Sequence, residues 1–229
     1  MAAARQSVPE ADILVIDDGS PDGTAELVDE IAASDSRISV LRRKEKLGLG
    51  VAYIDGYRRM LAKGYEAFLC MDADFSHDPA VLPRIAEALQ DHDFVIGSRY
   101  IPGGSTPDWK LSRRLISRIG NFTARTLLNV PIHDCTTGFR GYRREALEKL
   151  DFDNIKLTGY GFMIETAYKN YLNGMRIKEI PITFLDRRVG KSKMSGGIVK
   201  EALIYVIKLR LQHIREQLSS PTKHPPEKS

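Results

Sequence analysis

The sequence predicts an α/β domain: a mostly parallel sheet flanked by helices, followed by an amphipathic helix on the C-terminal side. Three observations carry this expectation. Short apolar runs alternate with helix-length periodic segments through the first hundred residues. Several runs stop at segments rich in Asp and Gly, which turn the chain. No stretch free of Asp, Glu, Lys and Arg exceeds eight residues, Leu47 to Ile54 being one, whereas a membrane span needs roughly 20 mostly apolar residues. Strand–helix alternation at this spacing places helices on both faces of the sheet and ligands at the carboxyl ends of its strands.

Taken in order, Ile13-Leu-Val-Ile16 is the first strand. It stops at the turn-rich Asp17-Asp-Gly-Ser-Pro-Asp-Gly-Thr24, and a helix follows over 25–33. Residues 38–41 form a second strand. After the Gly48 and Gly50 turn, 51–62 read as a helix in which Ala52, Ile54, Tyr57 and Leu61 are partly periodic. Residues 67–71 are a third strand, 79–90 a helix and 94–96 a fourth strand. Residues 111–128 make a long basic helix and 161–172 another. Residues 177–185 are strand-like, with Pro181 marking an edge or a bulge. Residues 197–218 form an amphipathic helix with the stripe Leu203, Ile207, Leu211, Ile214 and Leu218. The tail 219–229, rich in Pro and Lys and free of apolar residues, is expected to be disordered.

Composition narrows the function classes. The 229 residues are 42% hydrophobic and 28% charged, enough for a substantial core. A net charge of +4 is too small to argue for nucleic acid. Residues 1–10 lack the apolar segment of a secretory signal. Cys70 and Cys135 make no disulfide framework, which points to a reducing, cytoplasmic compartment.

Asp72-Ala73-Asp74 directly follows the third strand. Two carboxylates two residues apart at a strand end can approach one hard divalent cation, Mg²⁺ or Mn²⁺, shared with substrate phosphates. The same residues also suit a solvated turn in which Asp74 or Ser76 caps the next helix. Asp17-Asp18-Gly19-Ser20 ends the first strand on the same sheet edge, where a carboxylate can accept from a base N–H or ribose hydroxyls. Arg113 and Ser117 are spaced i, i+4 on one helix, a guanidinium and a hydroxyl suited to a phosphate. Arg99 comes from the same sheet edge. Read alone, Arg113, Arg114, Arg118 and Arg125 serve equally as a solvated helix face. Arg187-Arg-Val-Gly-Lys191-Ser-Lys193 is a basic loop that could close over a diphosphate. His77, His92 and His133 lack metal-ligand spacing with cysteine, which disfavours zinc.

In one order, Asp17-Asp-Gly-Ser-Pro-Asp-Gly-Thr24, Lys46-Leu-Gly-Leu-Gly50, Met71-Asp-Ala-Asp-Phe-Ser-His77, Gly97-Ser-Arg-Tyr100, Thr137-Gly-Phe-Arg140 and Asp186-Arg-Arg-Val-Gly-Lys-Ser-Lys193 resemble the dolichol-phosphate, or polyprenol-monophosphate, mannose synthases. These are inverting family-2 glycosyltransferases of GT-A fold. The resemblance covers roughly residues 12–197. It implies a catalytic domain over 1–196 and mannose transfer from GDP-mannose to a polyprenyl phosphate, releasing GDP. By position, it implies that Asp18 binds the donor nucleotide with Ile16 lining that pocket, and that Asp72 and Asp74 bind the metal with Ala73 against the nucleotide. Arg187 and Lys193 would hold the donor phosphates; Arg99, Arg113 and Ser117 would grip the acceptor phosphate; Asp134 and Thr137 would shape the sugar pocket. Relatives that transfer glucose or phosphosugars often carry Gln two residues after the second Asp; Ser76 stands there instead, which tilts the donor towards GDP-mannose. The family also opens with a strand and a Pro-x-Tyr-Asn-Glu segment that touches the base. Residues 1–11 contain no match, so that strand is expected to be missing.

The chemistry needs no protein base, because the acceptor phosphate is already an anion. It needs neutralised phosphates and in-line alignment. The stripe of 197–218, with Lys208, Arg210 and Arg215, suits an anionic membrane surface, and packing on the domain or on a partner helix suits it equally. The expected setting is the cytoplasmic face of a membrane, reached peripherally or through an anchoring partner subunit, with no nucleic acid involved. Competing readings are a nucleotide-sugar-binding pseudoenzyme, a polyprenyl-phosphate glucosyltransferase using UDP-glucose, and a phosphohydrolase using the Asp pairs.

Overall fold

The computed structural model describes residues 1–155, 160–186 and 196–219. Strands β1 (Ile13–Asp17) and β2 (Ile38–Arg42) pair in parallel, Ile13 opposite Ile38 and Asp17 opposite Arg42, with helix α2 (Thr24–Ser34) as the crossover. A four-stranded sheet has the order β3 (Ala67–Cys70), β5 (Arg140–Arg143), β4 (Phe94–Ser98) and β6 (Ile177–Pro181). β4 and β6 are parallel, whereas β5 runs antiparallel to both β3 and β4. The parallel pairings agree with the expected α/β class; the antiparallel strand in the middle is a departure.

β5 escapes a sequence reading because Arg140-Gly-Tyr-Arg143 contains no apolar run. Arg140 is nevertheless 0% exposed. Its guanidinium donates to the Thr137 carbonyl (2.8 Å), the Cys135 carbonyl (2.9 Å) and Thr166 Oγ1 (2.9 Å), which offsets the cost of burying a charge. Gly141 is there because helix α4 (Leu82–Ala88) packs onto the strand: a Cβ would stand 2.4 Å from Ile85.

Alternation along β4 divides the core. Phe94 and Ile96 join Phe68, Tyr142, Leu147, Phe162 and Tyr168 in one cluster, built with α3 (Leu49–Ala62) and α7 (Tyr160–Leu172). Val95 joins Leu82, Ile85, Leu89, Phe139, Ile180 and Ile182 in the other. Helix α1 (Ala2–Ser7), which no sequence pattern announced, lays Ala4 against this second cluster, and Val8 just after it does the same. Arg5 anchors the segment through Asp35 at 2.9 Å.

Helix α5 (Leu111–Leu128) has the expected bounds and ends at Asn129, in the left-handed region that Asn tolerates. It buries Ser117, Asn121, Ala124 and Leu128 and leaves Leu111, Leu115, Ile119 and Phe122 exposed. α6 (Arg144–Glu148) is a short helix after β5. Helix α8 (Gly196–Ser219) rests on α5 and α7. The residues that dock it are Val206 and Leu209; Ile207, Leu211 and Ile214 of the expected stripe are exposed together with Ile204. The side chains of Leu203 and Leu218, and the tail beyond 219, lie outside the described residues.

Candidate active site

β1 ends in the buried Asp17, whose Oδ2 accepts the backbone N–H groups of Gly19 (3.0 Å) and Ser20 (3.1 Å). The Ser20 side chain, more than these backbone bonds, holds the Asp17 carboxyl below its ordinary range. Gly19 sits at φ +72°, so glycine is required for the turn that carries Asp18 to the sheet edge. Asp18 is met by Arg43, the residue after β2: Nη1 to Asp18 Oδ1 is 2.5 Å, and Nε to Asp55 Oδ2 on α3 is 2.8 Å. Arg43 is buried, and its Nη2 has no hydrogen-bond partner among the described residues. Sequence reasoning missed this residue, since only the β1–β2 pairing brings it beside Asp18. Ile16 packs where α3 comes close, a Cβ on Gly56 falling 2.4 Å from it.

After β3 the chain turns through Asp72-Ala73-Asp74, with Ala73 exposed. Asp74 Oδ1 accepts from the Ser76 N–H at 3.0 Å and from the Ser76 hydroxyl. The Asp72 N–H donates to His77 Nδ1 at 3.0 Å. The Asp72 carboxylate faces Gly138 and Tyr53: a Cβ on Gly138 would lie 3.3 Å from Asp72 Oδ1 and 3.0 Å from the Tyr53 hydroxyl. Glycine therefore keeps open the space in front of this carboxylate. Desolvation, then the Asp72 charge, pushes the Tyr53 phenol well above its ordinary pKa, so it stays protonated. The two carboxylates of this turn, with open space before Asp72, are a hard, oxygen-only donor set that fits Mg²⁺ or Mn²⁺. Among the described residues no group of three or more His, Cys, Asp or Glu could hold a metal, so a cation here would take its other ligands from substrate and water.

The cationic side centres on Arg99 and Arg113. Arg99, buried after β4, forms a two-point ion pair with Asp134, Nε to Oδ2 and Nη2 to Oδ1 both at 2.7 Å, and reaches Thr136 Oγ1 at 2.8 Å. Burial alone would raise the Asp134 carboxyl, but the Arg99 charge and hydrogen bonds outweigh it and hold the carboxyl low. Glu179 of β6 fixes the same loop by accepting the His133 and Asp134 N–H groups at 2.9 and 3.0 Å. Thr137 is buried and accepts the Phe139 N–H at 3.2 Å, a structural role visible only in the fold. Arg113 lies 3.9 Å over the Trp109 ring and pairs with Asp186 at 2.9 Å. Ser117, on the same helix, is buried and accepts from the Tyr100 hydroxyl at 2.5 Å. Arg187 and Lys193 lie outside the described residues.

A chain of contacts joins the acidic and basic sides. His77 stacks on Phe139 at 4.8 Å and meets the Phe184 edge at 5.3 Å; Arg99 lies 5.4 Å from both Phe184 and Trp109; Arg113 lies 3.9 Å from the same Trp109 ring. Asp18 is reached through α3, which carries Tyr53 beside Asp72 and Asp55 beside Arg43. Ring contacts thus link the acidic loop to the guanidinium groups of Arg99 and Arg113.

Residues 2–151 match the family model described as glycosyl transferase family 2. The chain belongs to this family. Its relatives include an undecaprenyl-phosphate mannosyltransferase of Micrococcus luteus, 48% identical over 88% of this chain and 83% of that protein. Another is a polyprenol monophosphomannose synthase of Mycolicibacterium smegmatis, 46% identical over 88% and 77%. Among solved structures, glucosyl-3-phosphoglycerate synthase of Mycobacterium tuberculosis superposes with a TM-score of 0.61 at 21% identity, over 92% of this chain and 74% of that one. That likeness establishes the fold. This family-2 glycosyltransferase accordingly has the GT-A architecture, and its resemblance to the polyprenol-phosphate mannose synthases holds at nearly half identity.

Proposed function

We propose that this glycosyltransferase transfers mannose from GDP-mannose to a polyprenyl phosphate, with inversion at the anomeric carbon. The observation that carries the reading is the joining of Asp72 and Asp74, through His77 and Phe184, to Arg99 and Arg113. That joining occurs in a chain nearly half identical to two proteins named for mannosylating polyprenyl phosphates. Asp18, steered by Arg43, would accept from the nucleobase or ribose. Asp72 and Asp74 would hold Mg²⁺ or Mn²⁺, which supplies charge neutralisation for the departing diphosphate; a solved structure of the glucosyl-3-phosphoglycerate synthase contains Mn²⁺ with UDP-glucose. Arg187 and Lys193 would add positive charge to the donor phosphates. Arg99 and Arg113, with Ser117, would align the acceptor phosphate for in-line attack, and no residue need remove a proton from it.

The acceptor also defines where the enzyme works. Among the described residues no helix is long and apolar enough to cross a membrane. Yet α5 exposes Leu111, Leu115, Ile119 and Phe122, and its neighbour α8 exposes Ile204, Ile207, Leu211 and Ile214, with Arg118, Lys208 and Arg215 on the same two helices. Apolar rows with basic flanks suit reversible adsorption to an anionic bilayer, which the polyprenyl chain occupies. We place the enzyme on the cytoplasmic face.

The test is direct. Purified enzyme, undecaprenyl phosphate in anionic liposomes and radiolabelled GDP-mannose should give a lipid-extractable mannoside only when a divalent cation is present. Product of the opposite anomeric configuration, or equal turnover with UDP-glucose, would refute the reading.

A further inference from the structure

We propose that His77 is the positioning residue of the acidic loop: its Nδ1 holds the Asp72 backbone, and with it the carboxylate, in the ligating arrangement. The inference rests on the assignment of Asp72 and Asp74 to the metal and adds a residue that does not itself ligate.

The loop from Asp72 to His77 is not one the chain would adopt unaided. Phe75 sits at φ +62° with its ring largely exposed, a left-handed conformation unfavourable for a bulky aromatic. β3 ends at Cys70, so the Asp72 N–H has left the ladder and needs another acceptor. His77 Nδ1 provides it at 3.0 Å. The ring is 1% exposed and clamped, stacked on Phe139 at an interplanar angle of 24° and set edge-on to Phe184 at 78°. An acceptor on a ring that cannot turn fixes the amide that faces it. The Asp74 side closes the same loop through Ser76, whose carbonyl accepts the Leu185 N–H at 3.1 Å. Leu185 precedes Asp186, the partner of Arg113. His77 therefore sits where the metal loop and the acceptor arginine share a support.

The rest of the imidazole argues for a role beyond stability. With Nδ1 accepting, the ring proton is on Nε2, and Nε2 is buried with no hydrogen-bond partner among the described residues. An orphaned buried donor is a standing cost. Asparagine offers an acceptor in the same place with no ring, and phenylalanine the same stacking with no acceptor. Histidine supplies both in one side chain.

That contrast defines the experiment. In His77→Asn the amide oxygen replaces Nδ1; in His77→Phe the stacking survives without an acceptor; in His77→Gln the polar group falls near Nε2. Mn²⁺ affinity of the GDP-bound protein is measured by calorimetry and by electron paramagnetic resonance, with circular dichroism and melting recorded for each variant. Phe and Gln should weaken Mn²⁺ binding about 10- to 100-fold, the usual cost of losing a group that orients a ligand, and leave metal-free GDP affinity unchanged. Asn should recover most of the loss. His77→Phe with unaltered Mn²⁺ affinity would overturn the inference alone. Wild-type protein that binds GDP equally with and without Mn²⁺ would overturn the metal assignment and this inference with it. If the variants fail to fold, ¹⁵N spectra of the wild-type imidazole decide: a proton on Nδ1 refutes the geometry.

Discussion

Replacing Asp134 by Ala should separate what Arg99 does for the fold from what it does for the acceptor. Asp134 is 0% exposed and Arg99 nearly as deep, joined at two points of 2.7 Å, with the Arg99 N–H donating to the same carboxylate at 3.0 Å. Removing one member of a buried pair leaves the other charge uncompensated, which costs about 3–5 kcal/mol. Total stability of a domain is about 5–15 kcal/mol, and 1 kcal/mol moves Tm by roughly 2–4 °C at this size. Asp134→Ala should therefore melt about 6–20 °C below wild type in calorimetry. The double variant Arg99→Met/Asp134→Leu removes both charges and fills the space, so it should regain most of that loss. Its transfer to polyprenyl phosphate should stay low while GDP affinity is preserved. A drop in Tm below about 2 °C for Asp134→Ala would show that the pair is solvated and the magnitude misjudged. A double variant with full activity would show that Arg99 is architectural only.

Arg113→Ala should raise KM for polyprenyl phosphate at least tenfold and leave GDP affinity within a factor of about two, because its guanidinium, held by Trp109 and Asp186, is the group proposed to grip the acceptor phosphate; an equal fall in both, measured by titration and steady-state kinetics, would refute this placement. Ile207→Asp/Leu211→Asp should keep the wild-type Tm, both positions being exposed, yet lose co-sedimentation with anionic liposomes, whereas Val206→Asp, at a buried position, should melt early. The Arg176 side chain holds the Asp93 carboxyl down at about 2, so folded Asp93 binds its proton less readily than unfolded Asp93. Its contribution is full above the ordinary carboxylate pKa near 4 and disappears as pH falls towards 2; Asp93→Asn should flatten the melting-temperature profile over that interval and change nothing at pH 7 beyond a constant offset.

How much of this could be read in the sequence depends on whether a residue's role is local. The strands β1, β3 and β4 announce themselves as apolar runs, and the Asp72–Asp74 pair needs only to follow one of them. α5 carries its own periodicity and its own stop at Asn129, so both ends are legible. β5 is hidden for the opposite reason: the buried guanidinium of its first residue, Arg140, is hydrogen-bonded by carbonyls of residues 135 and 137 and by a hydroxyl of α7, none of which leaves a mark in the segment itself. Arg43 looks like one more base in a charged turn until β2 pairs with β1. Ser117 looks like a partner of Arg113 at i, i+4, but the helix turns it inward to the Tyr100 hydroxyl while Arg113 lies on Trp109.

The C-terminal helix shows the same division in its sharpest form. Ile207, Leu211 and Ile214 make a regular apolar stripe, and such a stripe ordinarily faces the core. Here Val206 and Leu209 dock the helix, and the regular stripe faces out. Periodicity reveals that a helix has an apolar face; it does not say whether protein or lipid covers it. Leu111 and Phe122 are 77% and 69% exposed on a helix that buries Ser117 against the Tyr100 hydroxyl. An enzyme whose acceptor joins a phosphate to a long hydrocarbon must meet both in one place, and α5 carries Arg113, proposed above to bind the phosphate, and an apolar row within one helical diameter of about 10–12 Å. Charging Phe122 should therefore depress transfer to a long-chain acceptor in liposomes far more than transfer to a short water-soluble one. Equal loss with both acceptors would mean that the apolar row serves another protein surface and that the lipid approaches from elsewhere.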